Sequence, residues 1–435
     1  MRGLFRQLGI GALVALPILA CNAIVGVEDV KLRDQKSSNT QGNDDDGNDD
    51  DTDEPPINGG DGDAGDTEPT CTGTCATAIS LGRAFACALA TDGKVRCWGD
   101  NAKGQTGQAG AAMTMKPTLV PGLEKVRQIS TGSDHACALV EGGKVFCWGD
   151  NADGIVTGVA DTAVTPRPTP TEVTGFPVTP RSIAGISAHQ CAVLTNDELF
   201  CWGYNASGQC GVAPGTSRRV LKPTKALAGV KLVGGAEEVT CAVLGDGKVS
   251  CFGRNLSGQL GRNTSDTEPH PDPQVVTGLT PKAIAIRPGT GFHVSVVLDG
   301  GKVAGWGSNA RGGVLGETTP AQLILPKVLD QPTGVVEVAP GGYFSCARLT
   351  DGTISCWGDS TDGQSGPTGD AGTGQAAPTP IAKIQGAEAI AAGRVGFACA
   401  VARGKVLCWG ANERGQLGRG ASGASSATPE EIALP

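Results

Sequence analysis

The side chains of this 435-residue chain best suited to chemistry are its 16 cysteines and 4 histidines. Most of the cysteines fall into pairs: Cys87 and Cys97, Cys137 and Cys147, Cys191 and Cys201, Cys241 and Cys251, Cys346 and Cys356, Cys399 and Cys408. Between the members of a pair lies a short turn, Thr91-Asp92-Gly93 in the first, where glycine supplies the positive φ of a tight hairpin. Residues facing each other across such a hairpin lie roughly 4.5–5.5 Å apart between Cα atoms, a spacing that a disulfide tolerates. The chemistry expected is therefore thiol oxidation to cross-strand disulfides, each worth at most about 3 kcal/mol for so short a loop. Zinc is the competing use of paired thiols, but these pairs lack the C-x₂-C spacing of a zinc knuckle. A further copy of the same stretch carries Ser295 and Gly305 at the two positions, so both cysteines are missing together, as a paired role requires.

The remaining cysteines are Cys21, Cys71, Cys75 and Cys210. Cys71 and Cys75 are placed either to close on each other or to fasten the start of the folded region, with one of these thiols or Cys210 left free or paired outside the chain. Cys210 stands where another repeat has Leu260 and is read as a small buried apolar substitute. Three histidines, His135, His189 and His293, occupy one repeat position that elsewhere holds Phe85, Val239, Phe344 and Phe397. Exchange of His with Phe and Val marks a packing or hydrogen-bonding position rather than a catalytic one. No phosphate-cradling loop, nucleophile elbow or metal-ligand cluster stands out, and no cofactor is expected.

These pairs must be held by a repeating unit. The aromatic residue that follows the second cysteine or its equivalent recurs at Trp98, Trp148, Trp202, Phe252, Trp306, Trp357 and Trp409, a period of roughly 50–54 residues that marks a propeller or solenoid. Each unit holds an apolar run, a Gly turn, the cysteine hairpin, a Trp-Gly-x-Asn stretch and a Pro-containing loop. Four short strands fit in that length, which is one propeller blade. The aromatics are read as core, and Asn101, Asn151, Asn205, Asn255, Asn309 and Asn412 as organisers of the turn that follows. The fold expected is all-β: a seven-bladed β-propeller over residues 71–435 behind an acidic N-terminal tether. The C-terminal Pro429 to Leu434 is expected to pack beside the N-terminal unit near Ala76 to Leu81 and close the ring.

The net charge of −9 is unevenly placed. Residues 28–70 carry 15 acidic and 3 basic side chains. The rest is nearly neutral, without the basic surplus of a nucleic-acid binder. Runs such as Asp44 to Asp51 cannot form a core and read as a disordered linker over 21–70; their spacing does not fit an EF-hand loop. Residues 1–20 have the basic start, apolar run and small-residue end of a signal peptide. Ile18-Leu19-Ala20-Cys21 resembles the lipobox of bacterial lipoproteins, which implies that Cys21 is the lipidated N-terminus of the exported chain. Asn22 in place of aspartate points to an outer-membrane lipoprotein of the bacterial cell envelope, periplasmic or surface-exposed. Paired cysteines suit such an oxidising compartment.

The recurring Trp-Gly-x-Asn stretch and Gly-Gln-Leu-Gly, standing here as Gly258 to Gly261 and Gly415 to Gly418, resemble the regulator-of-chromosome-condensation repeat family. The resemblance implies a seven-bladed propeller; the paired cysteines depart from the nuclear members and point to an exported branch. It also implies guanine-nucleotide exchange, which conflicts with an export signal. The function expected is a non-enzymatic scaffold, monomeric, held to the membrane by its N-terminal lipid, that binds a protein or glycan and no nucleic acid. An enzyme acting on polysaccharide at the central channel is the alternative, favoured by converging carboxylates where aromatic loop clusters would favour the scaffold. The stretches after Trp-Gly vary most, notably Gly154 to Pro180 and Gly211 to Lys225, and Arg218 and Arg219 are the candidate binding residues there.

Overall fold

The computed structural model describes residues 71–157, 166–366 and 375–435. Residues 1–70, on which the expected signal peptide, acidic linker and lipidated Cys21 fall, lie outside the described residues. Among the described residues, twenty-eight strands form seven four-stranded antiparallel sheets, each a contiguous stretch of chain in sequential strand order. The sheets are the blades of a propeller. Blade 1 is Ala76–Leu119, blade 2 Val126–Val173, blade 3 Pro180–Leu227, blade 4 Val230–Val275, blade 5 Ala283–Val328, blade 6 Val335–Pro380 and blade 7 Ala387–Ile432. The first strand of each blade is innermost and touches the first strands of its neighbours, while the fourth lies at the rim. Among the described residues no helix is long and apolar enough to cross a membrane.

The cysteine pairs face each other in register: Cys87 opposite Cys97, and likewise through Cys399 opposite Cys408. All six are bonded, with Cα atoms 4.1–4.2 Å apart. In blade 5, Ser295 and Gly305 keep the same register without a bond. The innermost strand places a small residue opposite the first cysteine of each bonded pair: Ser80, Ser130, Ala184, Gly234, Ala339 or Ala391. Blade 5 has Arg287 at that point. Cys71 and Cys75 bond to each other, and Cys210 is the free, buried cysteine of the described residues.

The indole N–H of each tryptophan donates to a backbone carbonyl of the preceding blade: Trp148 to Gln105 (3.0 Å), Trp202 to Ile155 (2.8 Å), Trp306 to Gln259 (2.7 Å), Trp357 to Val314 (3.0 Å) and Trp409 to Gln364 (2.9 Å). Trp98 closes the circle, donating to Gln416 of blade 7 at 2.9 Å. Phe252 has no N–H, and there the Thr240 hydroxyl, on the facing residue, donates to Gln209 at 2.7 Å instead. A buried carbonyl left unpaired is costly, so the substitution at one position is matched by the other.

The C-terminal strand packs beside the N-terminal unit near Ala76 to Leu81, as expected. Gly423–Ile432 hydrogen-bonds to Lys405–Asn412 of its own blade and is not exchanged into blade 1. The propeller needs no shared strand because the seam is sealed by side chains. Ile432 packs in one buried cluster with Ala76, Ile79, Leu81 and Trp98. The amides of Cys71 and Ala76 donate to the carbonyls of Arg403 and Gly404.

A channel with two different mouths

One register position of the innermost strands is aliphatic throughout: Ile79, Ile129, Ile183, Val233, Ile286, Val338 and Ile390, all buried. These strands surround a central channel of about 70 Å³ whose lining contains no carboxylate. That is well below the roughly 300–1,000 Å³ of small-molecule sites. Arg287, in the lining, donates to Glu337 at 2.6 Å, and Arg348 donates to the other oxygen of Glu337 at 3.0 Å. This carboxylate is held by two guanidiniums and almost fully buried. Among the described residues no group of His, Cys, Asp and Glu could hold a metal ion.

At the end where third strands lead to fourth strands, the mouth is covered by residues that break the repeat. Arg394 of blade 7 reaches across to Glu237 of blade 4, Nη1 to Oε1 2.7 Å. Its guanidinium stacks 4.9 Å from the centroid of the Phe292 ring, which stacks on Tyr343 at 5.3 Å; Arg311 lies 5.5 Å over Tyr343 and donates to Asp359 at 2.8 Å. The result is a ladder of cation, ring, ring and cation from three consecutive blades. Phe292, Tyr343 and Arg394 are half-buried, while Arg311 and, beside the ladder, Val395 are exposed. The hydrogen bond to Asp359 holds the Arg311 guanidinium above its ordinary pKa, and burial raises the carboxyl of nearby Asp362.

Arg218 and Arg219 are elsewhere. Arg219 begins the outermost strand of blade 3, Arg219–Leu227, and its Nε donates to Asp153 of blade 2 at 3.1 Å. Burial raises the Asp153 carboxyl in spite of this partner. Arg218 sits in a left-handed turn, φ 53°, at the rim. The variable stretches around them contain rim strands, Arg167–Val173 and Arg219–Leu227, so only part of each is loop, and residues 158–165 lie outside the described residues. The mouth cluster leaves a trace in the repeat. The position before the His/Phe slot is aromatic only in Phe292 and Tyr343, and the Gly393 to Phe397 turn is longer than Gly82 to Phe85.

The opposite mouth, where second strands turn into third strands, is ringed by β-bulges. Every innermost strand has one at its entry, and the bulged residues are Thr77, Arg127, Arg181, Lys231, Ile284, Val336 and Glu388. A bulge releases its residue from the ladder and re-aims it. This ring does not repeat in residue type: blades 2 to 4 contribute cations, blades 5 and 6 exposed aliphatics.

The histidines are structural. His135 Nε2 meets Gln190 Oε1 at 3.2 Å, His189 Nε2 meets Thr240 Oγ1 at 2.7 Å and His293 Nε2 meets Ser345 Oγ at 2.8 Å, each partner one blade on. The Thr240 and Ser345 hydroxyls donate onward to the Gln209 and Gly313 carbonyls, so the imidazoles donate from Nε2. Burial pushes their pKa values down to about 4, 3 and 4. The asparagines organise the loops as expected; Asn101 accepts from the Thr106 amide and donates to Gln108 and Ala111.

Two sequence models, each described as regulator of chromosome condensation (RCC1) repeat, match this chain, one at residues 76–105, 126–155 and 335–364 and the other at 92–139 and 403–435. The human E3 ubiquitin-protein ligase HERC2 is 29% identical over 168 residues, 37% of this chain and 3% of that protein. The Arabidopsis thaliana ultraviolet-B receptor UVR8 is 28% identical over 188 residues, 42% of this chain and 41% of the receptor. The chain thus spans less than half the length of either relative. Among solved structures, human WBSCR16 superposes with a TM-score of 0.69 at 20% identity, covering 79% of this chain and 95% of that one. Prp20p from Saccharomyces cerevisiae, a protein with binding properties to Gsp1p and histones, superposes at 0.70 with 22% identity, covering 79% and 87%.

Proposed function

We propose that this chain, a propeller of regulator-of-chromosome-condensation repeats, is a protein-binding scaffold without a reaction of its own, displayed on a bacterial cell envelope by a lipid on Cys21. The observation that carries the reading is the cation–aromatic ladder Arg394, Phe292, Tyr343 and Arg311. Tyr, Phe and Arg are the residues enriched at protein interfaces and their hot spots, and here they gather where a regular repeat has no structural need of them. Both stacked rings have faces already occupied by guanidiniums, which favours a protein partner over a glycan that would need a bare aromatic face. Polysaccharide cleavage at the channel finds little support in a space of about 70 Å³ without a carboxylate in its lining. Binding of Gsp1p and histones by Prp20p is consistent with a propeller of this kind serving as a protein-binding platform. Envelope display rests on the sequence alone, on Ile18-Leu19-Ala20-Cys21 after an apolar run. Acyl chains, at about 0.8 kcal/mol per buried CH₂, would hold the chain to a bilayer.

The test is capture of envelope proteins on the whole oxidised chain, compared with Y343A/R311E and with R218A/R219A. A saturable protein partner lost from Y343A/R311E and kept by R218A/R219A is the result expected. Equal capture by all three, or release of sugars from envelope polysaccharide instead of capture, would overturn the reading. Labelled palmitate should enter the wild-type chain and not C21S.

A further inference from the structure

The bulge-ringed mouth is a second surface, independent of the ladder. Blades 2, 3 and 4 place Arg127, Arg181 and Lys231 there in succession. Arg181 and Lys231 share one carboxylate, Asp197, at 3.0 and 2.7 Å, which leaves the group net positive. Arg127 is exposed, and among the described residues no hydrogen bond or ion pair holds its guanidinium. The neighbouring lysines add nothing, since Lys125 and Lys144 are paired with Glu141 and Glu172.

Between blades 2 and 3 the same mouth opens into a cleft of about 340 Å³, lined by Arg127 and Arg181, within the size range of ligand sites. Its floor is rigid: the Gln128 side chain donates to the Ile183 carbonyl and accepts from the Ile183 amide, both at 3.0 Å. The hydroxyls of Thr179, Ser182 and Thr195 line this cleft and have no side-chain hydrogen bond among the described residues. A preformed concavity with an unpartnered guanidinium and three unpartnered hydroxyls is built to receive carboxylate oxygens. Across the mouth, Ile284 and Val336 of adjacent blades are 47% and 37% exposed. A free anion would leave this apolar pair uncovered, and a planar membrane surface does not enter a cleft.

We propose that this mouth binds an acidic segment of a partner polypeptide, with carboxylates on Arg127, Arg181 and Lys231 and an apolar side chain against Ile284 and Val336. The probe is a fluorescent peptide alternating glutamate with leucine, read by anisotropy against the whole oxidised chain. Binding is expected, weakening at least tenfold in R127E and in I284D and falling as salt rises from 50 to 200 mM. The glutamine version of the peptide should lose the same affinity. Arg127 is exposed and held by no hydrogen bond or ion pair among the described residues, so R127E should melt with the wild type, and K231E provides a second reading. Y343A/R311E should bind the peptide unchanged, which separates this surface from the ladder. No binding to the wild type, binding indifferent to R127E and K231E, or complete displacement by equimolar inorganic phosphate would overturn the proposal.

Discussion

At the residue scale, the buried position that alternates between His, Phe and Val follows a rule visible within one chain. Each histidine faces a polar residue of the next blade, Gln190, Thr240 or Ser345. After Phe85, Val239, Phe344 and Phe397, the corresponding residues are Ala136, Val294, Ala398 and Ala86. Burying a polar group costs free energy unless it is paired, so the two positions change together. H135F alone strands Gln190, and Q190A alone strands the imidazole, each by about 1–3 kcal/mol. The double variant, which mirrors Phe85 with Ala136, should recover at least about 1 kcal/mol of the summed loss in urea unfolding. The same histidines set an acid limit. Their folded pKa values, about 4, 3 and 4, lie below the unfolded value near 6.5, so the unfolded state takes up protons first and stability falls as pH drops through that window. The slope is on the order of 1.4 kcal/mol per pH unit for each histidine. Unfolding midpoints measured from pH 7 to 4 should fall, and less steeply for H135F/Q190A; a flat profile would contradict the burial of neutral imidazoles.

At the scale of the element, a blade is a hairpin stapled by a disulfide and hung on its neighbour by an indole. The exception in blade 4 shows that the carbonyl's need for a donor matters more than the identity of the donor. T240V should cost about 2 kcal/mol or more, because it leaves both the Gln209 carbonyl and the His189 N–H unpaired. Adding F252W to T240V should restore part of this, since every other blade pairs the equivalent carbonyl with an indole. Equal stability of T240V and T240V/F252W would show that the carbonyl finds another partner. Blade 5 makes a related point about disulfides. The six bonded hairpins each have a Ser, Ala or Gly opposite the first cysteine, whereas Arg287 stands at that point in blade 5, turned to Glu337.

At the scale of the whole molecule, the ring closes without a shared strand. Each blade is contiguous, and the seam between blades 7 and 1 uses the same kinds of contact as any other joint: an indole bond, an aliphatic cluster and backbone hydrogen bonds. The position of the chain ends should therefore matter little. A circular permutant opened between blades 4 and 5, in the exposed turn near Gly278, with residues 435 and 71 joined by a short Gly/Ser linker, should fold and melt within several degrees of the parent. Collapse of that permutant would mean that the ends contribute more than the seam contacts described.

The periodic aromatics, the glycine turns and the paired cysteines determined by themselves the seven blades, the hairpins and their partners, because each is a local rule repeated in sequence and a repeat needs only its neighbours. The carbonyl that Thr240 supplies with a donor, the matching of His135 with Gln190 and the ring of bulges were decided by tertiary structure. The first two join residues of neighbouring blades and the ring gathers one residue from every blade, and nothing in local sequence states which side chains of other blades will stand beside them. The candidate sites divide the same way. Arg218 and Arg219 attract notice in sequence as adjacent charges in a variable stretch, yet packing places them at the rim, with Arg219 tied to Asp153. Arg394, Phe292, Tyr343 and Arg311 are scattered along the chain and become one surface because a propeller brings the turns at the same end of every blade to one mouth, where residues that break the repeat can meet.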